Sequence, residues 1–445
     1  MRFLLPSSPA RPLLHKLITA GLRTADPYHA LLKHVALDRH SLRVGRRTYD
    51  LSHIDRILAV GAGKASARMA QALEVALGTK LEDGLVIVKT GHTLATKRIT
   101  VLEAGHPVPD RAGLHATQRL LRLIQHLTPR DLLIVLLSGG ASSLLPAPVA
   151  EVTLSDKQRT TRLLLRSGAT INEMNVVRKH LSLIKGGGLA ASTRARIVTL
   201  LLSDVIGDDL GSIGSGPTAE DPSTFADAVG VLQRYRSWRA VPEAVRRHLG
   251  RGRKGNASET LKPGSRRLRS VQHHIIGNNR IMLKAVMRAA QQAGLHTKFL
   301  SHPITGEARV AAKQLTDLAR AITEGHGSLN RPCCVVAGGE TTVTVTGKGK
   351  GGRAQEFAAS AAFEIADLPN TWVVALGTDG TDGPTDAAGA IVSGETVSQA
   401  KKLRIDLCSS LNRHNTYPAL KALGCHIHTG PTGTNVNDLY LLLLL

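Results

Sequence analysis

Short apolar runs that each end in a glycine- or hydroxyl-rich loop constrain this chain more than any other feature. Residues 56–60 run into Gly61-Ala62-Gly63-Lys64, and an alanine-rich helical stretch follows to about Leu77. Residues 84–89 end at Gly91-His92, residues 131–137 at Ser138-Gly139-Gly140-Ala141-Ser142-Ser143, and residues 197–202 at Ser203-Asp204-Val205. Apolar runs alternating with helical stretches mark a parallel sheet with helices on its faces. Ligands of open α/β sheets sit at such strand ends. The expected fold class is α/β.

The alternation continues after an interruption. Residues 155–192 read as mostly helical, with a turn near Asn172 and a glycine stop at Gly186 to Gly188. The stretch 231–270 is Arg-rich, contains Pro242 and Pro263, and reads as part helix and part connection. A second α/β portion follows. Its expected strands are 274–276, into Gly277-Asn278-Asn279, then 334–337, 341–346 and 372–376, with a last glycine stretch at 430–435. No internal repeat is evident. The expected division is 1–240, a basic connection at 241–270, and 271–445.

With 57 Lys and Arg against 34 Asp and Glu, the chain carries a formal charge of +23. Residues 231–270 hold twelve Lys or Arg against Glu243 and Glu259, a surplus of ten. Such charge suits nucleic acid, an anionic surface or anionic substrates. Aromatic residues are 3% of the chain, which argues against single-strand binding by base stacking, and no zinc-finger spacing is present. Four cysteines without a C-x-x-C pair suggest reduced thiols and a cytoplasmic protein. Apolar runs are far shorter than the roughly 18 residues a membrane span needs. No acid precedes Asp26, as in a transit peptide, but residues 13–22 are helical in pattern and Ala25-Asp26-Pro27 reads as a helix stop. An ordinary first helix is the preferred reading.

Five constellations can carry chemistry. The turn Gly61-Ala-Gly63-Lys64-Ala-Ser66 lacks the third glycine of a dinucleotide fingerprint, and residues 84–89 end in Lys89-Thr90 where a ribose-binding acid belongs. What remains is a glycine turn at a helix start with a lysine beside it, either an anion site or a tight turn with a solvent-facing lysine. Ser138 to Ser143 offers backbone N–H groups and hydroxyls, without the Gly-x-Ser-x-Gly of a serine hydrolase. Gly347 to Arg353 interleaves cations with glycine at a helix start, as a polyphosphate site or a hairpin tip would. Asp379, Asp382 and Asp386 stand in a glycine-rich turn and could hold Mg²⁺ or accept a hydroxyl proton. Asp204, Asp208 and Asp209 form another acid cluster at a strand end. His92, His106 and His180 lack metal-ligand spacing and read as loop or packing residues. Together these are the parts of phosphoryl transfer to a small anionic substrate.

The motifs resemble those of the glycerate 2-kinase family with its C-terminal MOFRL domain, from about Ala25 to Tyr440. The likeness rests on VGAGKAS (60–66), EAGHPVPD (103–110), SGGASSLL (138–145), VVRKHLSLIKGG (176–187), LSDVIGDDLGSIGSGPT (202–218), GNNR (277–280), GGETTVTV (338–345), GGRAQE (351–356), TDGTDGPTDAAGA (378–390) and TGPTGTNVNDL (429–439). The resemblance implies two α/β domains: a Rossmann-like, doubly wound, mostly parallel first domain and a smaller MOFRL domain, with the active site in the cleft between them. It also implies phosphate transfer from ATP, with Mg²⁺, to the 2-hydroxyl of D-glycerate. Carried over by motif, the family's lysine falls on Lys64 and its arginine on Arg353, with Asp379 as base or Mg²⁺ partner and Asp382 and Asp386 as candidate Mg²⁺ ligands. Gly61, Gly63, Ser138, Gly139, Gly140, Ser142, Asp204, Asn279, Glu340 and Asn435 are the implied binding residues. The chain departs from the family at Ala354, where asparagine is expected, at Gly188, where a basic residue is expected, and in its uniform ending, Leu441 to Leu445. The rival readings are a hydroxypyruvate reductase, which would need a nicotinamide site, and a nucleic-acid-binding protein using 231–270.

Overall fold

The computed structural model describes residues 3–326 and 329–445. The chain divides into two compact units, Pro27–Ile276 on the one hand and Met1–Asp26 with Gly277–Leu445 on the other.

The unit Pro27–Ile276 opens with an antiparallel meander, β1 (Val35–Leu37), β2 (Ser41–Val44) and β3 (Arg47–Asp50). Its main sheet comprises β4 (Ile57–Ala62), β5 (Leu81–Lys89), β6 (Ile99–Ala104), β7 (Leu132–Leu137), β8 (Arg196–Leu202) and β9 (Val271–Gly277), in the order β6-β5-β4-β7-β8-β9. The pairings from β6 through β8 are parallel. Counted within the sheet the order is 3-2-1-4-5-6, the doubly wound arrangement, whose direction of winding reverses between β4 and β7. Both of these strands are buried at every position, which is why they read as unbroken apolar runs. Helix Ser66–Leu77 buries Ala67, Met69, Ala70 and Leu73, and its small residues allow close approach to the sheet. The strand β6 has no counterpart in the sequence reading. It is an edge strand of mixed exposure, ITVLEA, and lacks a continuous apolar signature.

Segment 241–270, expected as a connection, is folded into this unit. Helix Glu243–Arg253 buries Val245 and Leu249 in a cluster with Phe225 and Val229, leaving its arginines outward. Arg267 donates Nε to the Ala190 carbonyl and Nη2 to that of Ala195. Much of the local positive charge is therefore a solvated face with some arginines holding carbonyls.

In the other unit, helix Arg11–Ala25 buries Leu14, Leu17, Ile18 and Leu22 and packs on helix Asn279–Gln291, where Gly21 lies against Val286 and Met282. This packing draws the first 26 residues away from the sequence segment they begin. The sheet here comprises β10 (His296–Phe299), β11 (Ile304–Glu307), β12 (Cys333–Thr342), β13 (Thr371–Gly377), β14 (Gly389–Ser393), β15 (His426–Ile427) and β16 (Asp438–Leu444). The order is β10-β12-β16-β13-β14-β15, with β11 also paired to β12. The strand expected at 341–346 is only the end of β12. The leucine-rich ending forms β16, antiparallel to both β12 and β13 and buried throughout. A central strand covered on both faces needs no polar alternation. Among the described residues no helix is long and apolar enough to cross a membrane.

Candidate active site

Two clusters gather the residues singled out by sequence, one in each compact unit. In the unit Pro27–Ile276 the cluster lies where β4 and β7 end side by side, at the reversal point of the sheet. The two loops are stitched together. Lys64 N–H donates to the Gly139 carbonyl at 2.9 Å, Ala65 N–H to Ser138 Oγ at 3.0 Å, and Ser138 N–H to the Ala62 carbonyl at 3.1 Å. Gly63 has φ of 139°, and a Cβ there would stand 2.1 Å from Ser138 Oγ; a Cβ on Gly139 would stand 2.1 Å from Asp204 Oδ2. Only glycine permits these approaches. Gly61 likewise lies against the Leu136 carbonyl, and Gly140 against the His106 ring and the Lys64 stem. Gly61, Gly63, Lys64, Ser138, Gly139, Gly140 and Asp204 thus converge. Burial and the charge of Lys64 push the His106 imidazole down to about 4, so it stays neutral.

Ser142 belongs to the same loop but is engaged by protein. Its Oγ lies 2.8 Å from Ser215 Oγ, and Lys185 Nζ donates to its carbonyl at 2.6 Å and its hydroxyl at 3.2 Å. The sequence reading assigned no role to Lys157, Arg178 or Lys185, although motifs it quoted contain two of them. These three line a cavity of about 220 Å³ with His106, Gly140, Ser142 and Ser143. A larger cavity, about 820 Å³, is lined by Asp208, Asp209, Glu220 and Asp221 against Lys179, which already pairs with Asp221 at 3.2 Å. Its charge disfavours anions. At 188, where a basic residue was expected, a Cβ would come 2.2 Å from the Leu183 carbonyl, so a side chain requires the backbone to move.

In the other unit the cluster forms where β12 and β13 end and β16 begins. Arg353, first residue of helix Arg353–Glu364, donates Nε and Nη2 to the Asp438 carboxylate at 2.7 and 2.9 Å, and Nη1 to Glu340 at 2.6 Å. Three of its five N–H groups are thereby used. Asn437 Nδ2 donates to the other Glu340 oxygen at 2.9 Å. Burial pushes the Asp438 carboxyl up to about 6, against the Arg353 charge that pulls it down. Burial works against the Arg353 charge too, but the Asp438 pair holds the guanidinium ionised. Asn279 donates to the carbonyls of Val436 and Asp438, and Asn435 Oδ1 accepts from Asn437 N–H. Both therefore shape the loop before β16. Asp438 escaped the sequence reading; its signal was an acid standing immediately before an apolar run.

Asp379 sits in a tight turn. Its Oδ1 accepts from Thr381 N–H at 3.2 Å, and among the described residues Oδ2 has no donor. Gly380 holds φ of 90°, and a Cβ there would stand 2.0 Å from the Gly430 carbonyl oxygen. Asp382 does not fit the metal role expected of it. It is buried, Oδ1 accepts from Ala354 N–H, and Oδ2 from Gln355 N–H and Nε2, at 2.8 to 3.1 Å. It caps the helix that carries Arg353. Asp386 accepts from the Tyr417 hydroxyl at 2.6 Å, which holds its carboxyl below the usual range. Ala354, where asparagine was expected, is wholly buried. Among the described residues no three His, Cys, Asp or Glu group to hold a metal. That still fits Mg²⁺, which commonly binds through one or two carboxylates plus substrate phosphates and water.

Residues 13–250 match a domain of unknown function (DUF4147) and residues 333–438 the MOFRL family. The chain is 41% identical over 427 residues to a glycerate 2-kinase of Pyrococcus horikoshii, covering 96% of this chain and 95% of that protein. It is 39% identical to a D-glycerate 2-kinase of Thermotoga maritima, covering 90% and 93%, and 39% identical to a putative hydroxypyruvate reductase of Agrobacterium vitis, covering 98% and 94%. A crystal structure of glycerate kinase from Thermotoga maritima superposes with a TM-score of 0.87 at 37% identity, covering 98% and 99%. With both domain families matched in order and such likeness along nearly all its length, the chain belongs to the glycerate 2-kinase family with a C-terminal MOFRL domain.

Proposed function

We propose that this protein is an ATP-dependent glycerate 2-kinase, transferring the γ-phosphate of ATP to the 2-hydroxyl of D-glycerate to give 2-phosphoglycerate and ADP. The observation that carries the reading is the Lys64 turn, locked to the Ser138–Gly140 loop at the reversal point of a doubly wound sheet. Backbone donors and a cation at such a point suit a phosphate. Phosphoryl transfer asks chiefly for positioning and for neutralisation of charge spread over the phosphoryl oxygens. Lys64 supplies that charge. Arg353 has two N–H groups left for an anion, its orientation fixed by Asp438 and Glu340.

Asp379 takes the acidic role through its open Oδ2, either accepting the 2-hydroxyl proton or holding the Mg²⁺ that travels with the nucleotide. When bound, Mg²⁺ neutralises phosphate charge. Asp379→Asn separates the two roles. Loss of the metal role raises the Mg²⁺ concentration needed for half-maximal rate, whereas loss of the base lowers kcat at saturating Mg²⁺. The reductase reading is disfavoured because Ser66 stands in the third glycine position and β5 ends in Lys89.

The test mixes purified protein with D-glycerate, ATP and Mg²⁺ and resolves the product by phosphorus NMR, beside a cuvette of hydroxypyruvate and NADH. 2-Phosphoglycerate without NADH loss is expected. 3-Phosphoglycerate would overturn the regiochemistry, and NADH consumption without phosphorylated product would overturn the kinase.

A further inference from the structure

The cavity beside the Lys64 turn has a charge pattern that the kinase reading does not require. Helix Leu154–Arg166 contributes Lys157, helix Ile171–His180 contributes Arg178, and the turn after it contributes Lys185. Lys157 is 8% exposed and, among the described residues, its Nζ has no hydrogen-bond partner. Arg178 makes no ion pair among the described residues. Lys185 is 3% exposed and, among the described residues, bonds only to Ser142. Among the described residues no carboxylate lines the cavity. Burying an unpaired cation is costly, and two buried lysines beside the half-buried Arg178 compound the cost by mutual repulsion. Burial and the Arg178 charge draw the Lys157 ammonium down to about 7, and burial draws Lys185 well below its ordinary range. An entering anion relieves all of this.

Size and position narrow the anion. At about 220 Å³ the cavity is smaller than the roughly 300–1,000 Å³ pockets of drug-sized ligands, so it suits a small acid. It is lined by Gly140 and His106, and Gly140 lies against the Lys64 stem, a Cβ there falling 3.5 Å from Lys64 Cγ. An acid seated with its carboxylate on the buried cations has its other end beside the Lys64 turn.

We propose that this cavity is the carboxylate subsite of the acceptor, with Lys157 and Arg178 as specificity-determining contacts to the carboxylate and Lys185 as the residue positioning the Ser142–Ser143 loop. The proposal rests on the kinase reading for the identity of the acid, but the cation cavity itself does not. The groups facing the carboxylate are Lys157, Arg178, Lys185 and neutral His106. Lys157, drawn down to about 7 and so mostly neutral at pH 8, takes up a proton as the acid binds.

The test uses the full chain and Lys157→Met, which removes a buried unpaired charge and should fold at least as stably. D-Glycerate alone should raise the Tm of the parent protein, and inorganic phosphate at equal ionic strength should not. In Lys157→Met that shift should vanish and KM for glycerate should rise about 10- to 100-fold, the worth of a charge-assisted hydrogen bond, with KM for ATP unchanged. Calorimetry at pH 8 in buffers of different ionisation enthalpy should show proton uptake in the parent alone, which a packing role for Lys157 would not produce. Arg178→Met should repeat the KM effect. An unchanged glycerate shift in Lys157→Met would overturn the subsite. A phosphate shift as large as that of glycerate, with the variant raising KM for ATP instead, would make it a phosphate site and overturn the carboxylate assignment. Glycerate binding lost in the variant, but no phosphorylation by the parent, would sink the kinase and keep the subsite. Phosphorylation with every KM unchanged would do the reverse.

Discussion

The Asp438 carboxylate holds Arg353 by two parallel bonds, Nε at 2.7 Å and Nη2 at 2.9 Å, while Tyr440 donates its hydroxyl to Asp438 Oδ2 at 3.1 Å. The pair spans the start of β16 and the start of the helix that β12 feeds. A guanidinium fixed in this way loses little freedom when it meets an anion.

Protonating Asp438 slackens that grip. With its carboxyl at about 6, kcat/KM should rise with pH through about 6, and Asp438→Asn should flatten this limb while lowering kcat. Stability runs the other way. The folded carboxyl titrates above its unfolded value near 3.8, so its contribution is full below that value and is lost as pH rises through about 6. Asp438→Asn should remove this part of the pH dependence in thermal melts. A limb near pH 6 that survives the substitution would assign it to another group.

Asp382 gives the opposite lesson, an acid from the most suggestive motif that serves the fold. Its oxygens accept three N–H bonds from Ala354 and Gln355. Removing a buried cap of this kind costs about 2–3 kcal/mol. Asp382→Ala should therefore lower the unfolding free energy in urea by that amount and leave the Mg²⁺ dependence of the remaining activity unchanged. A shifted Mg²⁺ requirement at unaltered stability would restore the metal role.

What the sequence made legible follows from these contacts. The strands β4, β7 and β8 and the loops after them were readable because buried parallel strands are continuous apolar runs closed by glycine and hydroxyl residues. The edge strand β6 and the short strand β15 were not, since partial exposure or brevity leaves no period to read. The first helix pattern was visible, but its packing against residues 279–291 is a contact between distant stretches. Motif matching singled out Arg353 and Asp379, yet it could not tell that Asp382 points into a helix terminus, because an Asp-Gly turn looks the same in either role. Lys157 was hidden for a similar reason: it shares its helix with the exposed Arg159, Arg162 and Arg166, and only the fold shows which cation faces inward.

Lys64 offers a clean separation of chemistry from fold. Its backbone N–H, bonded to the Gly139 carbonyl, survives Lys64→Ala, so the two loops should stay joined and the melt should move little. Loss of the ammonium should reduce kcat by about 10²–10³, the cost of removing one preorganised electrostatic contact. Lys64→Arg should restore part of the rate. A large fall in Tm with a proportionate fall in active fraction would instead make Lys64 a packing residue.

The uniform leucine ending looked like a departure from the family, and its place in the sheet gives it a purpose. Leu442 is fully buried between Val335 on β12 and Val373 on β13, two strands that β16 alone joins. Truncating a core leucine costs about 2–5 kcal/mol, through lost transfer energy and the cavity left behind. Leu442→Ala should destabilise the protein by that amount in urea. Because Asp438 begins the same strand, a loosened β16 should also weaken the hold on Arg353, lowering kcat more than it raises KM. Leu441→Ala and Leu443→Ala, on the opposite face of β16, should cost similar stability, since the strand is covered on both sides. If truncation at 442 proved neutral while 441 and 443 were costly, the strand would be covered on one face only, and its unbroken leucines would need another cause.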